Sequence, residues 1–330
     1  MKACVIGAGS WGTAMAVHLA GMGRDVFLWN KFEEELEKIR TDGENKKYLP
    51  GVKIPQNVKF TSDMSAATEG AELVVFALPS PLVRTVSKEL CGCIKDGTVL
   101  VNLSKGLEKG SLKRLSQVLS EEIPQARVVV MSGPSHAEEV AVKLPTTNVV
   151  ASRDAVAAEF VQNFVMNSDF RIYTSHDVVG VELGGALKNV IALCAGICDG
   201  LGYGDNTKAA LMTRGLAEIK RLGVAMGADA ETFLGLSGVG DLIVTCTSMH
   251  SRNRRAGILL GKGEPLEKVL AEVGMVVEGV NTAGAAYELG KRYGVSMPIV
   301  EEANKILFEG KNPRLAVTDL MTRGKKPEHK

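Results

Sequence analysis

The chain has 330 residues, 45% of them hydrophobic and 23% charged, with a net charge of +1. That length suits two domains and a sizeable core. The near-neutral charge gives no global field for a nucleic acid or a membrane surface. No apolar stretch is read as approaching the roughly 20 residues that a bilayer span needs. Met1 leads directly into a strand pattern without a signal-peptide layout, so the expected location is cytoplasmic. The six cysteines (Cys4, Cys91, Cys93, Cys194, Cys198, Cys246) and the scattered histidines lack metal-ligand spacing. The expectation is therefore no metal, with reduced and mostly buried thiols.

The first dozen residues carry the strongest local signal. Ala3 to Ile6 reads as a buried strand. It breaks into Gly7-x-Gly9-x-x-Gly12, and a helical pattern follows from Thr13 to Ala20. Strand, glycine turn and helix in that order form a dinucleotide-binding fingerprint. The glycines allow the turn, the approach of a pyrophosphate and close packing of helix on strand. The helix start offers free N–H groups to phosphates.

Asp25 to Trp29 is the second strand, ending in Asn30-Lys31. An NAD site would place a carboxylate near this point, about 20 residues on from the glycines. Its absence removes repulsion against a 2′-phosphate, and Lys31 either attracts that phosphate or is simply solvated. The cofactor reading is NADPH or NADH, with NADPH slightly favoured. Glu33 to Arg40 is a charged helix, and Thr41 to Val58 a Pro/Gly-punctuated loop. Further strands are expected at Leu73–Leu78, Thr98–Leu103, Arg127–Met131, Thr147–Ala151 and Arg171–Thr174. Alternation with helices implies an α/β fold with a doubly wound, Rossmann-type parallel sheet. From Val178 the segments have helical length: 178–198, 206–226, 254–261, 265–272, 278–293 and 298–309. This predicts an all-α second domain, with domains at 1–180 and 181–330. There is no internal repeat, and the charged tail Arg323 to Lys330 is expected to be loose.

Lys105 lies just past a strand's C-terminal end, where ligands of open α/β sheets sit. Ser135 is equally a ligand contact or a helix cap, with Glu138 completing a capping box. The helix from Val178 is apolar almost all round, interrupted by Glu182, Lys188 and Asn189. A buried lysine is costly unless paired or functional, and burial lowers its pKa toward values useful for proton transfer. The glycine-rich turn 199–206 reads as a flexible connection, and Arg214 with Glu218 as an i,i+4 pair. Asp241 lies in a second glycine-rich turn. Ser251 is a candidate N-cap for a helix whose first turn carries Arg252 and Asn253, together an anion site. Glu278 either reaches ribose hydroxyls or favours a helix start.

In these stretches the sequence resembles the bacterial-type NAD(P)-dependent sn-glycerol-3-phosphate dehydrogenases. The matching segments are Gly7–Thr13, Ser104–Gly106, Ser132–Ser135, Leu187–Ile191, Lys208–Leu211, Thr213–Glu218, Gly240–Leu242, Thr245–Thr247, Ser251–Arg254 and Val277–Gly279, spread over nearly the whole chain. The resemblance implies reversible reduction of dihydroxyacetone phosphate to sn-glycerol 3-phosphate, supplying the glycerophospholipid backbone. It implies Lys188 as the general acid/base. The implied substrate positions are Lys105, Gly133, Ser135, Lys188, Asn189, Asp241, Thr245, Ser251, Arg252 and Asn253. The implied cofactor positions are Gly7, Gly9, Ser10, Trp11, Gly12, Lys31, Lys105, Ala137, Arg252, Val276 and Glu278. His136 stands where the family often has an aromatic residue. A homodimer is expected. Two other readings fit the same elements: a dehydrogenase of β-hydroxy acids, and a non-enzymatic sensor of NADPH.

Overall fold

The structure, a computed structural model, describes residues 1–325, 327 and 328. The expected loose tail therefore falls partly outside the described residues, at Lys326, His329 and Lys330. The chain opens with β1 (Lys2–Ile6), α1 (Ser10–Gly21), β2 (Asp25–Trp29), α2 (Glu33–Asp42), β3 (Val58–Thr61), α3 (Met64–Thr68) and β4 (Leu73–Phe76). It continues with α4 (Val83–Cys91), β5 (Val99–Asn102), α5 (Leu115–Glu122), β6 (Arg127–Ser132), α6 (Ala137–Ala141), β7 (Thr146–Ala151), α7 (Ala155–Val165) and β8 (Phe170–Ser175). The strands form one sheet in the order β3-β2-β1-β4-β5-β6-β7-β8. Ala3 to Ile6 are fully buried, as befits a parallel strand with helices on both faces. The order reverses between β1 and β4, which makes the C-terminal ends of those strands a topological switch point.

The expectation of a parallel sheet holds only as far as β6. β7 runs antiparallel to β6, with Val130 opposite Ala151, and β8 pairs parallel to β7. Strand direction cannot be read from an apolar run. The connection fits the reversal: 13 residues join β6 to β7, against 22 before β5 and 24 before β6, near the lower limit for a parallel crossover. β3 was not among the expected strands, and the expected loop ends at its first residue, Val58. It is an edge strand whose Lys59 is exposed, so it lacks a continuous apolar signature.

The second half consists of α8 (Val178–Gly200), α9 (Asp205–Ala225), α10 (Asp241–Thr247), α11 (Arg252–Gly261), α12 (Leu266–Val273), α13 (Glu278–Arg292), α14 (Pro298–Phe308) and α15 (Pro313–Met321). α10 and α15 lie outside the predicted segments. The sheet ends at Ser175 and α8 starts at Val178, so a cut at 180/181 falls in that helix's first turn. Every residue from Gly180 to Cys198 is buried. The expectation that no stretch is long and apolar enough to span a bilayer was wrong for α8. By length and composition it qualifies, yet 89% of its most apolar window is buried inside the protein. It is the axis of the helical layer. α11 crosses it backbone against backbone: a Cβ on Gly196 would lie 2.0 Å from the Arg254 carbonyl oxygen, and one on Gly257 2.0 Å from that of Leu193.

The expected Arg214–Glu218 pair is not formed. Glu218 points inward and accepts from the backbone N–H groups of Ile299 (2.9 Å) and Val300 (3.3 Å), capping α14. Burial pushes its carboxyl up to about 7 against those two hydrogen bonds. Between the ordinary carboxyl pKa and about 7 the folded chain holds this proton more tightly than the unfolded chain. Folding stability should therefore fall as pH rises through that window. Glu218→Gln removes the titration and is expected to keep its melting temperature nearly constant from pH 5 to 8, where the parent loses several degrees. Thermal melts across that range check this; parallel curves for both proteins would contradict it.

Candidate active site

Lys188 sits in the third turn of α8, 6% exposed. Gly185, one turn earlier, passes so close to the sheet edge that a Cβ there would lie 2.5 Å from Ser132 Oγ and 3.6 Å from Lys105 Cδ. The missing side chain lets α8 approach the end of β6 and the turn after β5. That turn is held by Asn102, whose side chain accepts from Ser104 N–H at 3.1 Å. It presents Lys105, whose Nζ donates to the Gly133 carbonyl (3.0 Å) and to Asp241 Oδ2 (2.6 Å).

Asp241 arrives from the other side. A π-type turn at Leu236–Gly240 leads into it as the first residue of α10. Its other oxygen, Oδ1, accepts from Lys188 Nζ. Lys188 also donates to Thr245 Oγ1 at 2.7 Å, and that hydroxyl donates to the Asp241 carbonyl at 2.6 Å. The Thr245 hydroxyl is thereby committed, and one of the three ammonium donors of Lys188 is left for a ligand. One carboxylate serves two lysines. Burial would raise the Asp241 carboxyl, but the charges of Lys105 and then Lys188 outweigh it and hold it below its ordinary value. Burial lowers Lys188 to about 7, with the Asp241 charge opposing and the Lys105 charge adding to the fall. A lysine near neutrality can give or take a proton at physiological pH.

Beside this cluster lies the start of α11. Ser251 is its N-cap, as expected, accepting from Arg254 N–H at 3.2 Å. Arg252, the first helical residue, has no carboxylate at ion-pairing distance among the described residues. Burial lowers its pKa, opposed by the charges of Glu278 and Glu138. Asn253 and Asn189 are buried and joined at 2.9 Å, and Asn253 Oδ1 accepts from Gly279 N–H at 2.8 Å. These amides tie α8, α11 and α13 together under the cluster.

The glycine turn faces the same sheet edge. A Cβ on Gly12 would lie 1.9 Å from the Gly7 carbonyl oxygen, so helix and turn touch only with glycine there. Gly9 faces open space. α1 has no side-chain cap and no acid in its first turn, so the N–H groups near Ser10 and Trp11 are open to an anion. The residues present fit a dinucleotide pyrophosphate. Lys31 is exposed at the end of β2 and pairs with Glu89 at 2.9 Å. Ala137 begins α6, and Val276 is exposed just before α13. Glu278, the first residue of α13, reaches across to the loop after β4, where Ser80 N–H (2.9 Å) and Ser80 Oγ (2.6 Å) both donate to it.

Some expectations fail here. Ser135 does not cap α6: His136 occupies the cap position, and Ser135 Oγ donates to the Gly133 carbonyl at 2.9 Å. A polar residue ahead of a helix suggests a cap, but Gly133-Pro134 turns the chain one residue further. Glu182 accepts from Ser116 N–H at 2.8 Å and pairs with Arg114, which fastens α5 to α8 away from the lysines. Ser80 was missed, because nothing in Pro79-Ser80-Pro81 signals a partner 198 residues away. A cavity of about 790 Å3, lined by Arg114, Ser116, Arg153, His176 and Asp229 among others, lies at the opposite sheet edge and contains none of the candidate substrate or cofactor residues.

Two family models match, described as the N-terminus (residues 2–158) and the C-terminus (residues 177–318) of NAD-dependent glycerol-3-phosphate dehydrogenase. A protein from Desulfitobacterium hafniense named glycerol-3-phosphate dehydrogenase [NAD(P)+] is 58% identical over 327 residues, 99% of this chain and 93% of that one. One of the same name from a Thermoanaerobacter species is 58% identical over 328 residues, 99% of each. The crystal structure of glycerol-3-phosphate dehydrogenase from Coxiella burnetii superposes with a TM-score of 0.94 at 37% identity, covering 98% of this chain and 99% of that one. Sequence and fold agree, and the chain belongs to the NAD-dependent glycerol-3-phosphate dehydrogenase family.

Proposed function

We propose that this chain carries out its family's reaction, the NAD(P)H-dependent, reversible reduction of dihydroxyacetone phosphate to sn-glycerol 3-phosphate, with Lys188 as general acid/base. The observation that carries the assignment is the buried Lys188 Nζ, held between Asp241 and Thr245 with its pKa lowered to about 7. The cofactor, bound along the glycine turn, Ser10, Trp11, Lys31, Ala137, Val276 and Glu278, supplies the hydride. Protonated Lys188 gives its proton to the C2 oxygen in reduction, and neutral Lys188 takes it from the C2 hydroxyl in oxidation. Lys105 keeps Asp241 in place and braces the Gly133 carbonyl, which positions the Gly133–Ser135 turn as a substrate wall.

Arg252 and the α11 N-terminus hold the substrate phosphate, so binding energy remote from the reacting carbon orients C2. Arg252→Ala should raise KM for dihydroxyacetone phosphate by about 10²-fold, the scale of a lost charge-assisted contact. Steady-state kinetics against unphosphorylated dihydroxyacetone test this; an equal loss with both substrates would contradict the phosphate role. NADPH is the slightly favoured cofactor, since β2 ends in Asn30-Lys31 without a carboxylate. Initial rates with each cofactor decide that point, and equal or higher rates with NADH would reverse it. A homodimer acting in the cytoplasm completes the reading; light scattering should give twice the chain mass, and the mass of a single chain would contradict the dimer.

A further inference from the structure

Arg252 and Glu278 stand on neighbouring helix starts, joined by the Gly279 N–H to Asn253 Oδ1 bond at 2.8 Å, and each charge acts on the other, yet they do not pair. The Glu278 carboxylate is engaged elsewhere, with one oxygen on Ser80 N–H at 2.9 Å and the other on Ser80 Oγ at 2.6 Å. Ser80 is buried, and prolines on both sides fix its backbone, so its N–H direction is set before Glu278 arrives. Gly106 makes the room: a Cβ there would lie 2.6 Å from Ser80 Cβ and 3.2 Å from Glu278 Oε2. The clamp thus rests on the turn that carries Lys105.

We infer that Ser80 is a positioning residue: it holds the Glu278 carboxylate away from Arg252 and so keeps that guanidinium free for a phosphate monoester. The inference rests on the phosphate role of Arg252 proposed above. The physical logic is competition. An arginine and a carboxylate in a half-buried cleft form a bidentate pair when nothing prevents it. A phosphate must then displace the carboxylate, and its apparent affinity drops by the strength of the internal pair. Two hydrogen bonds from one serine, one of them from the backbone, remove that competitor without neutralising it. Glu278 remains available to the cofactor side, and Arg252 remains open to the substrate.

The probe is inorganic phosphate, titrated calorimetrically into the full chain without cofactor. Ser80→Ala should weaken phosphate binding on the order of tenfold, the scale of one charge-assisted interaction. Ser80→Ala/Glu278→Gln should return to the parent affinity, because the released group can no longer compete as a charge. Glu278→Gln alone should bind phosphate at least as tightly as the parent, which keeps the test open if Ser80→Ala does not fold. Arg252→Gln should lose binding in every background. Parent-like binding by Ser80→Ala, a double variant as weak as Ser80→Ala, or weaker binding by Glu278→Gln overturns the inference while leaving the Arg252 assignment intact. Parent-like binding by Arg252→Gln overturns the phosphate assignment, and the inference with it.

Discussion

Lys188→Ala is expected to lower kcat by about 10²–10⁴-fold, the usual share of a positioned acid or base. Cofactor affinity should stay within a factor of about two, because the groups around the glycine turn do not touch Lys188. The loss should appear equally in kcat and kcat/KM, the mark of an interaction made in the transition state. Lys188→Arg should fare no better. A guanidinium keeps its charge at every accessible pH and cannot act as a base. Its planar fork also does not fit a site built around Asp241 Oδ1 and Thr245 Oγ1. A Lys188→Ala enzyme turning over at near-parental rate would remove the lysine from the chemistry. Loss of cofactor binding in parallel would recast it as a structural group.

Asp241→Asn is expected to act on stability and on pH dependence together. Asp241 is 1% exposed and offers one oxygen to each of two lysines. Without the carboxylate both ammonium groups lose their counter-charge, and breaking a buried pair this way costs about 3–5 kcal/mol. Denaturant titration should read that loss as a lower midpoint with an unchanged slope. The sign of the second effect follows from the causes of the Lys188 shift. Burial and the Lys105 charge lower its pKa, and only the Asp241 interactions raise it. Removing them should move the ionisation below about 7, so that reduction fades at lower pH than in the parent. A pH–rate profile that does not move would contradict the coupling.

β1, β4 and the central helix were legible because each carries a local signal. Ala3–Ile6 and Leu73–Phe76 are unbroken apolar runs, and α8 is apolar over more than five turns. What stayed hidden depends on partners distant in sequence. The reversal of β7 is a property of a short connection. β3 is an edge strand with an exposed lysine. α10 follows a glycine-rich turn that reads as loop, yet it carries two of the four polar residues of the cluster. Lys188 stood out on its own local signal, a lysine in a helix that is apolar almost all round. Nothing local pairs it with its partners, because Asp241 meets Lys188 across 53 residues and Lys105 across 136. Glu218 shows the converse. An i,i+4 spacing with Arg214 suggested a surface pair, and tertiary packing turned the carboxylate inward to cap α14.

The most direct test of the account is the pH dependence of kcat measured in both directions on the parent enzyme and on Lys188→Ala. For the parent, reduction of dihydroxyacetone phosphate should fall as pH rises through about 7, while oxidation of glycerol 3-phosphate should rise through the same ionisation. Both dependences should vanish in Lys188→Ala. An ionisation near that pH that survives in the variant would place the proton transfer on another group and contradict the assignment.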